Sequence, residues 1–435
     1  MAIQNFPSAL QPIIQQNYLE RAIDNGLESL LGYDQIADIE TFPNRIGETI
    51  TKTRKALKAP VTTPLNPASN TNLDNGLSAS SWMVEQYTLT INEYADTIDL
   101  NIVNEGVGVA DQFVKNAYTN SVQALQSRDR LARATLFNAY MGQNTRVRTT
   151  LGAPAATINV DDIRGFQNVL VNGVMVAVSG ANTMSVIVGS NAYTLTGAAV
   201  DVSNVSTAPG GISGTLTFSS NVTVADATAG NQAVGQYAPT VLRPNARATT
   251  AALTGTDLLT MSLLLDGVAQ LRNNAVPTVN GYYNCYLDNK SARQVFADND
   301  FKLLFQGQHA SQEFKAGKVI ELLDIRFIPT TEAYQQVLGS VNVRRPILCG
   351  EGALVRGDFA GNNAMFDGLE EGELIMRDGF RFVAREPLDR LKQIVAQSWS
   401  YIGGYAVPTD ATASQTIIPT ASNSYWKRAV MFETA

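Results

Sequence analysis

The chain has one histidine, His309, and two cysteines, Cys285 and Cys349, in 435 residues. A single imidazole with no Cys or His nearby is a poor ligand set for a metal, and in GQHASQEFKAGK it reads as a loop residue. Two cysteines exclude a disulfide framework and read as small buried hydrophobes in a reducing compartment. Charge is also scarce, 16% of residues against 45% hydrophobic. So uncharged a surface suits burial against other subunits, although one low-charge domain would give the same total. The net charge of −7 argues against general nucleic-acid binding and against an anionic membrane. No apolar run reaches the roughly 18–20 residues that cross a bilayer, so no membrane partner is expected. The opening MAIQNFPSALQPIIQQ has neither the basic start nor the unbroken apolar run of a secretory signal, which places synthesis in the cytoplasm.

Catalytic patterns are missing as well. There is no Gly-x-Ser-x-Gly setting for a nucleophile. Ala316-Gly317-Lys318-Val319 ends like a phosphate loop, but it has no glycine five positions earlier and carries Val where Ser or Thr is required. Glu370, Glu371 and Glu373 form an acidic turn, to be read as solvated before it is read as a cation site. The Asn204 and Asn221 sequons mean nothing without secretion. The expectation is a protein that is not an enzyme and holds no cofactor or metal.

What is present is organised around VGVADQFVKNAYTNSVQALQSRDRLARATLFNAYM, residues 107–141. Apolar residues at Ala110, Phe113, Val114, Ala117, Leu125, Ala132 and Leu136 recur at helical spacing with no proline. This predicts one helix of about 50 Å at 1.5 Å per residue, with Gly142 as a left-handed stop. Residues 1–45 read as an arm, with helical periodicity over 13–31 that packs either on a neighbour or on its own domain. Residues 46–93 read as a long hairpin whose arms flank APVTTPLNPASNTNLDNGLSAS, too long and polar for a tight tip. Such a projection cannot bury its own faces. Residues 94–150 hold a further strand and the long helix.

The composition breaks near residue 150. The hundred positions 151–250 hold seven charged residues: Asp161, Asp162, Arg164, Asp201, Asp226, Arg243 and Arg247. After a short helical piece expected at 161–170, Val/Thr/Ile runs alternate with turns, which predicts an inserted antiparallel barrel or sandwich over 151–252. Residues 253–345 alternate helix and strand, and 346–435 are mainly strand. The fold class is therefore α+β.

The basic run Lys52, Arg54, Lys55, Lys58 leaves three readings open: a solvated strand edge guarded by charge, a pairing surface for an acidic neighbouring subunit, and a phosphate contact. Arg128, Asp129, Arg130 and Arg133 on the long helix read as solvated, or paired three or four residues apart.

The order of parts resembles the major capsid protein of tailed double-stranded-DNA bacteriophages, a fold shared with encapsulins and the herpesvirus capsid floor. The phrases that carry the resemblance are GETITKTRKALKAP, SSWMVEQYTLTINEYADTIDL, RDRLARATLFNAYMG, LLTMSLLLDGVAQLRNNAVPTVNGYYNCYLD and the terminal WKRAVMFETA. The resemblance implies an N-terminal arm, an extended loop, a peripheral domain with a spine helix and an α/β axial domain, with the β-domain inserted. It implies a virion shell of hexamers and pentamers enclosing double-stranded DNA without sequence-specific binding. Its implied partners are a separate scaffolding protein, a portal protein at one vertex and a decoration protein. Lys52, Arg54, Lys55, Lys58, Trp82, Glu370, Glu371 and Glu373 are then the candidate intersubunit contacts. An encapsulin-like compartment or a β-domain-bearing tail adhesin are the other readings.

Overall fold

The computed structural model describes residues 7–8, 10–12, 18–27, 32–42, 49–55, 57–58, 60, 62, 84–105, 108–172, 174–306, 321–359, 374–385, 390–408, 410–411, 418–419 and 424–435. The fold is α+β. Its axis is the spine helix Val109–Met141, 33 residues, within two residues of the periodic stretch. Gly142 does not end it in a left-handed conformation. Gly142 is extended (φ −57°, ψ 150°), and the positive φ of 59° falls on Gln143. The buried Gln143 is bound on both sides, its N–H donating to the Arg164 carbonyl (2.9 Å) and its Nε2 to that of Gly165 (2.8 Å). Tertiary hydrogen bonds thus offset the strain of a non-glycine residue at that φ.

Two cores lie along the spine. Its N-terminal half, through Phe113, Ala117, Ala124 and Leu125, packs against Trp399, Phe380, Phe382 and the arm helix Tyr18–Leu27. Its C-terminal half, through Ala132, Leu136, Phe137 and Tyr140, meets Tyr33, Tyr286, Ile347, Leu354 and Met431. The arm helix therefore packs on its own domain. Leu19, Ala22 and Ile23 are buried, Gly26 lies so close to Ser121 that a Cβ would overlap its hydroxyl, and Arg377 bridges Glu20 and Asp24.

The large sheet is ordered Ala37–Phe42, Leu354–Phe359, Ile394–Ala406, Phe380–Arg385, Leu374–Arg377, and Asn92–Asn101 pairs with Ile394–Ala406. That last pair runs antiparallel from Ile394↔Asn101 to Gly403↔Asn92. A mixed sheet runs Val241–Leu242, Ala429–Phe432, Ile347–Cys349, Tyr283–Leu287, Ile325–Pro329, Glu321–Leu322, with helix Met261–Asn273 against Phe432 through Gly267. Cys285 and Cys349 are free and buried there. They belong to different cores, and burial pushes the Cys285 thiol up to about 12, so both are chemically quiet.

The charge-poor stretch forms its own six-stranded sheet, Asn144–Arg146, Gln232–Gly235, Met184–Val188, Asn191–Val200, Gly214–Val222, Ala155–Val160. Every pairing in it is antiparallel. Met184, Val186 and Val188 alternate inward as period two requires, onto a core with Ile158, Leu195, Leu216 and Phe218. The helix expected at 161–170 is absent. Residues 161–167 turn, and Asn168–Val171 is a strand. Local polar bonding defeats the helix: the Asp162 carboxylate accepts from the Arg164 N–H (3.0 Å) and its guanidinium (2.5 Å), and Gly165 has φ +97°.

Candidate intersubunit surface and the charge clamps behind it

The hairpin strands Thr49–Lys55 and Val84–Thr90 pair antiparallel, Lys52 opposite Tyr87 and Arg54 opposite Glu85. Alternation puts Ile50, Lys52 and Arg54 on one face and Thr49, Thr51, Thr53 and Lys55 on the other. The first face is not a solvated edge. It lies over the large sheet, where Tyr87, Leu89 and Ile91 share a core with Val355 and Ala406. There Lys52 pairs with Glu40, and Arg54 is only 2% exposed. Burial, then the Glu40 charge, raises the Tyr87 hydroxyl to about 12. So the stem covers one face on its own subunit; the projecting loop, read from sequence as unable to bury its own faces, lies over 63–83, outside the described residues.

Glycine makes that seat possible. A Cβ on Gly404 would overlap the Thr90 carbonyl, so Gly404→Val should displace the hairpin strand. Overpacking of this kind costs about 1–3 kcal/mol. Faster proteolysis within 84–90 in the unassembled variant would report it, and wild-type cleavage would show that the strand sits elsewhere.

Lys55 and Lys58 are exposed, and the Lys55 carbonyl accepts from Trp426 Nε1 (3.1 Å). Arg428 stacks beneath this anchor on Trp426 (4.5 Å) and Tyr425 (4.8 Å). Trp82, Glu370, Glu371, Glu373 and His309 lie outside the described residues.

The spine charges find their partners off the helix; Arg128 and Asp129 are buried, whereas Arg130 stays exposed. Asp129 Oδ1 accepts from the N–H groups of Tyr33 (2.8 Å) and Asp34 (3.1 Å), capping the short turn Tyr33–Ile36 from another element. Burial raises the Asp129 carboxyl, and these amides pull it back. Arg128 binds Asp34 (3.2 Å) and Asp378 (2.6 Å) under the Phe380 ring (4.7 Å). Asp34 also accepts from Arg356 (2.8 Å) and from the Tyr405 hydroxyl. Arg130 and Arg133 both bind Glu332. These pairs fasten arm, spine and both sheets into one body. A second clamp holds the C-terminus: Glu433 accepts from Arg345 (2.9 Å), Arg243 (2.7 Å) and the Thr250 hydroxyl (2.7 Å). Sequence offered no signal for either, because the partners lie far apart in the chain.

Among the described residues no group of three or more His, Cys, Asp or Glu could hold a metal ion, and no helix is long and apolar enough to cross a membrane.

No family model matches the sequence, and no curated protein matches it. Solved structures do. The capsid of Ralstonia phage GP4 is similar at 10% identity over 93% of this chain and 92% of that one, with a TM-score of 0.48. The capsid of cyanophage P-SCSP1u is similar at 10% identity over 93% and 88%, TM-score 0.46. The cyanophage Pam1 capsid is similar at 11% identity over 91% and 88%, TM-score 0.44. Each of the three is a phage capsid, and each is matched along nine-tenths of this chain.

Proposed function

We propose that this chain is the major capsid subunit of a tailed double-stranded-DNA phage. It assembles into hexamers and pentamers of a closed shell in the virion and is made in the host cytoplasm. The shell encloses DNA without gripping a sequence, as suits a chain of net charge −7. In this reading the arm helix and the hairpin stem pack on their own subunit and the loop between the stem strands reaches across to a neighbour, while 94–150 and part of 346–435 form the peripheral domain, 253–345 the axial domain, and 151–252 the inserted domain. A scaffolding protein, a portal protein at one vertex and a decoration protein are its partners.

The observation that carries the proposal is the hairpin. Its stem covers one face on its own subunit, while the other face, with Thr49, Thr51, Thr53 and Lys55, stays exposed. Lys55 and Lys58 lead into a proline-rich connection, residues 56–83, that is longer than a turn needs. Lys55, Lys58 and Trp82 are offered to a neighbour, with Glu370, Glu371 and Glu373 as an acidic counterpart. Lys52 and Arg54 brace the stem behind them.

Deleting residues 62–80 tests this. The expected product is a folded, soluble subunit that sediments as small oligomers and fails to close shells. Shells of normal size from the deletion would remove the intersubunit role.

A further inference from the structure

Where the inserted lobe meets the rest of the subunit there is a cleft of about 40 Å³. Arg146, Asp161 and Thr207 line it from the lobe, and Arg243, Gln336 and Arg345 line it from the other side. The two sides touch at one edge. Gln336 Nε2, on the strand Gln335–Leu338, donates to the Thr207 carbonyl, and Gln336 Oε1 accepts from Arg345 Nη2 (2.7 Å). One water needs about 10–15 Å³ of such space, so the cleft has room for a few waters or one small ion.

The charges around the cleft do not cancel. Asp161 is matched by Arg146 (3.4 Å), and Asp162, which also lines the cleft, by Arg164 (2.5 Å). Glu433 alone is left for both Arg243 (2.7 Å) and Arg345 (2.9 Å). Four guanidinium groups therefore stand against three carboxylates, a surplus of one positive charge. Arg345 holds that surplus with a donor to spare. It is 2% exposed, its Nε and Nη2 are taken by Glu433 and Gln336, and among the described residues its Nη1 has no acceptor. A buried donor without an acceptor is costly, and so is a buried charge without its counter-charge. One bound anion relieves both.

We propose that this cleft binds one small inorganic anion, phosphate or chloride, through Arg345, and that the anion joins the inserted lobe to the C-terminal sheet. The chemistry selects the ligand. A compact acceptor of low negative charge matches the surplus and gains a charge-assisted hydrogen bond. A cation meets like charge there, and a nucleotide exceeds the space. Because the lining residues come from both parts, a ligand held there stabilises the joint between them.

The test uses the unassembled full-length chain, so its outcome does not depend on the assembly reading. Subunits kept in gluconate, an anion too large for the cleft, are titrated with phosphate or with chloride at constant ionic strength. At least one of the two should stabilise the fold saturably. At about a hundred times the half-saturating concentration the folding equilibrium constant should rise about a hundredfold. Hydrogen exchange should slow most at 205–208 and 334–338, the two edges of the cleft. Saturation by phosphate alone assigns the site to an oxyanion, and by chloride alone to a halide. Arg345→Lys keeps a cation for Glu433 but lacks the spare donor, and should bind at least about tenfold more weakly. Glu433→Gln raises the surplus to two charges, and should bind at least about tenfold more tightly. A response that never saturates, as general salt effects do not, or one that Arg345→Lys leaves unchanged, would overturn the proposal.

Discussion

Glu433→Gln is expected to destabilise the unassembled subunit by about 3–5 kcal/mol, the cost of removing one partner from a buried pair. Glu433 is fully enclosed and takes hydrogen bonds from both Arg345 and Arg243. The neutral amide leaves two largely buried guanidinium groups without their counter-charge. Chemical denaturation of wild type and variant measures the difference, and a loss below about 1 kcal/mol would place the clamp at the level of a surface pair. The pH dependence has a definite sign. Burial alone would raise the carboxyl, but Arg243 and Arg345 outweigh it and hold it at about 2, against an ordinary 4.5. Its contribution is therefore complete above about pH 4.5 and lost as pH falls from there towards 2. In Glu433→Gln that segment of the stability–pH curve should flatten.

Asp34→Ala should cost about 3 kcal/mol, the lower end for a buried pair. Arg128 would keep Asp378 and Arg356 would keep Asp358. The loss should be local in its consequences. The Tyr33–Ile36 turn is held by Asp34 and the Asp129 cap together with Tyr33 and Ile36 in the core, so losing Asp34 should speed exchange of its amides while those of the spine helix keep their protection. Equal loss of protection along the spine would show that Asp34 supports the whole body and not the arm.

The parts visible in the sequence are those governed by local periodicity. The spine repeats its apolar residues at helical spacing along its 33 residues, and the charge-poor lobe shows its strands by Val/Thr runs. The helix stops at Gly142 as the sequence predicts, but the left-handed conformation falls on Gln143, which takes it from its hydrogen bonds to the inserted lobe. On the spine, helical spacing leaves its charges solvated or paired with near neighbours, whereas the partners of Arg128 and Arg130 lie 250 and 202 residues away. Helical spacing predicts only neighbours on the same helix. The sequence leaves a solvated edge, an acidic neighbouring subunit and a phosphate contact open for Lys52 and Arg54, and none of these is the pairing of Lys52 with Glu40 of its own subunit. At 161–170 the helical pattern was real but weaker than the Asp162–Arg164 bond.

The central claim, a subunit that builds a shell, is most directly tested by electron microscopy of the purified full-length protein, alone and with its candidate scaffolding protein. The account predicts closed icosahedral particles, or tubes and spirals of the same lattice, in at least one of the two conditions. A monodisperse monomer in both would contradict it.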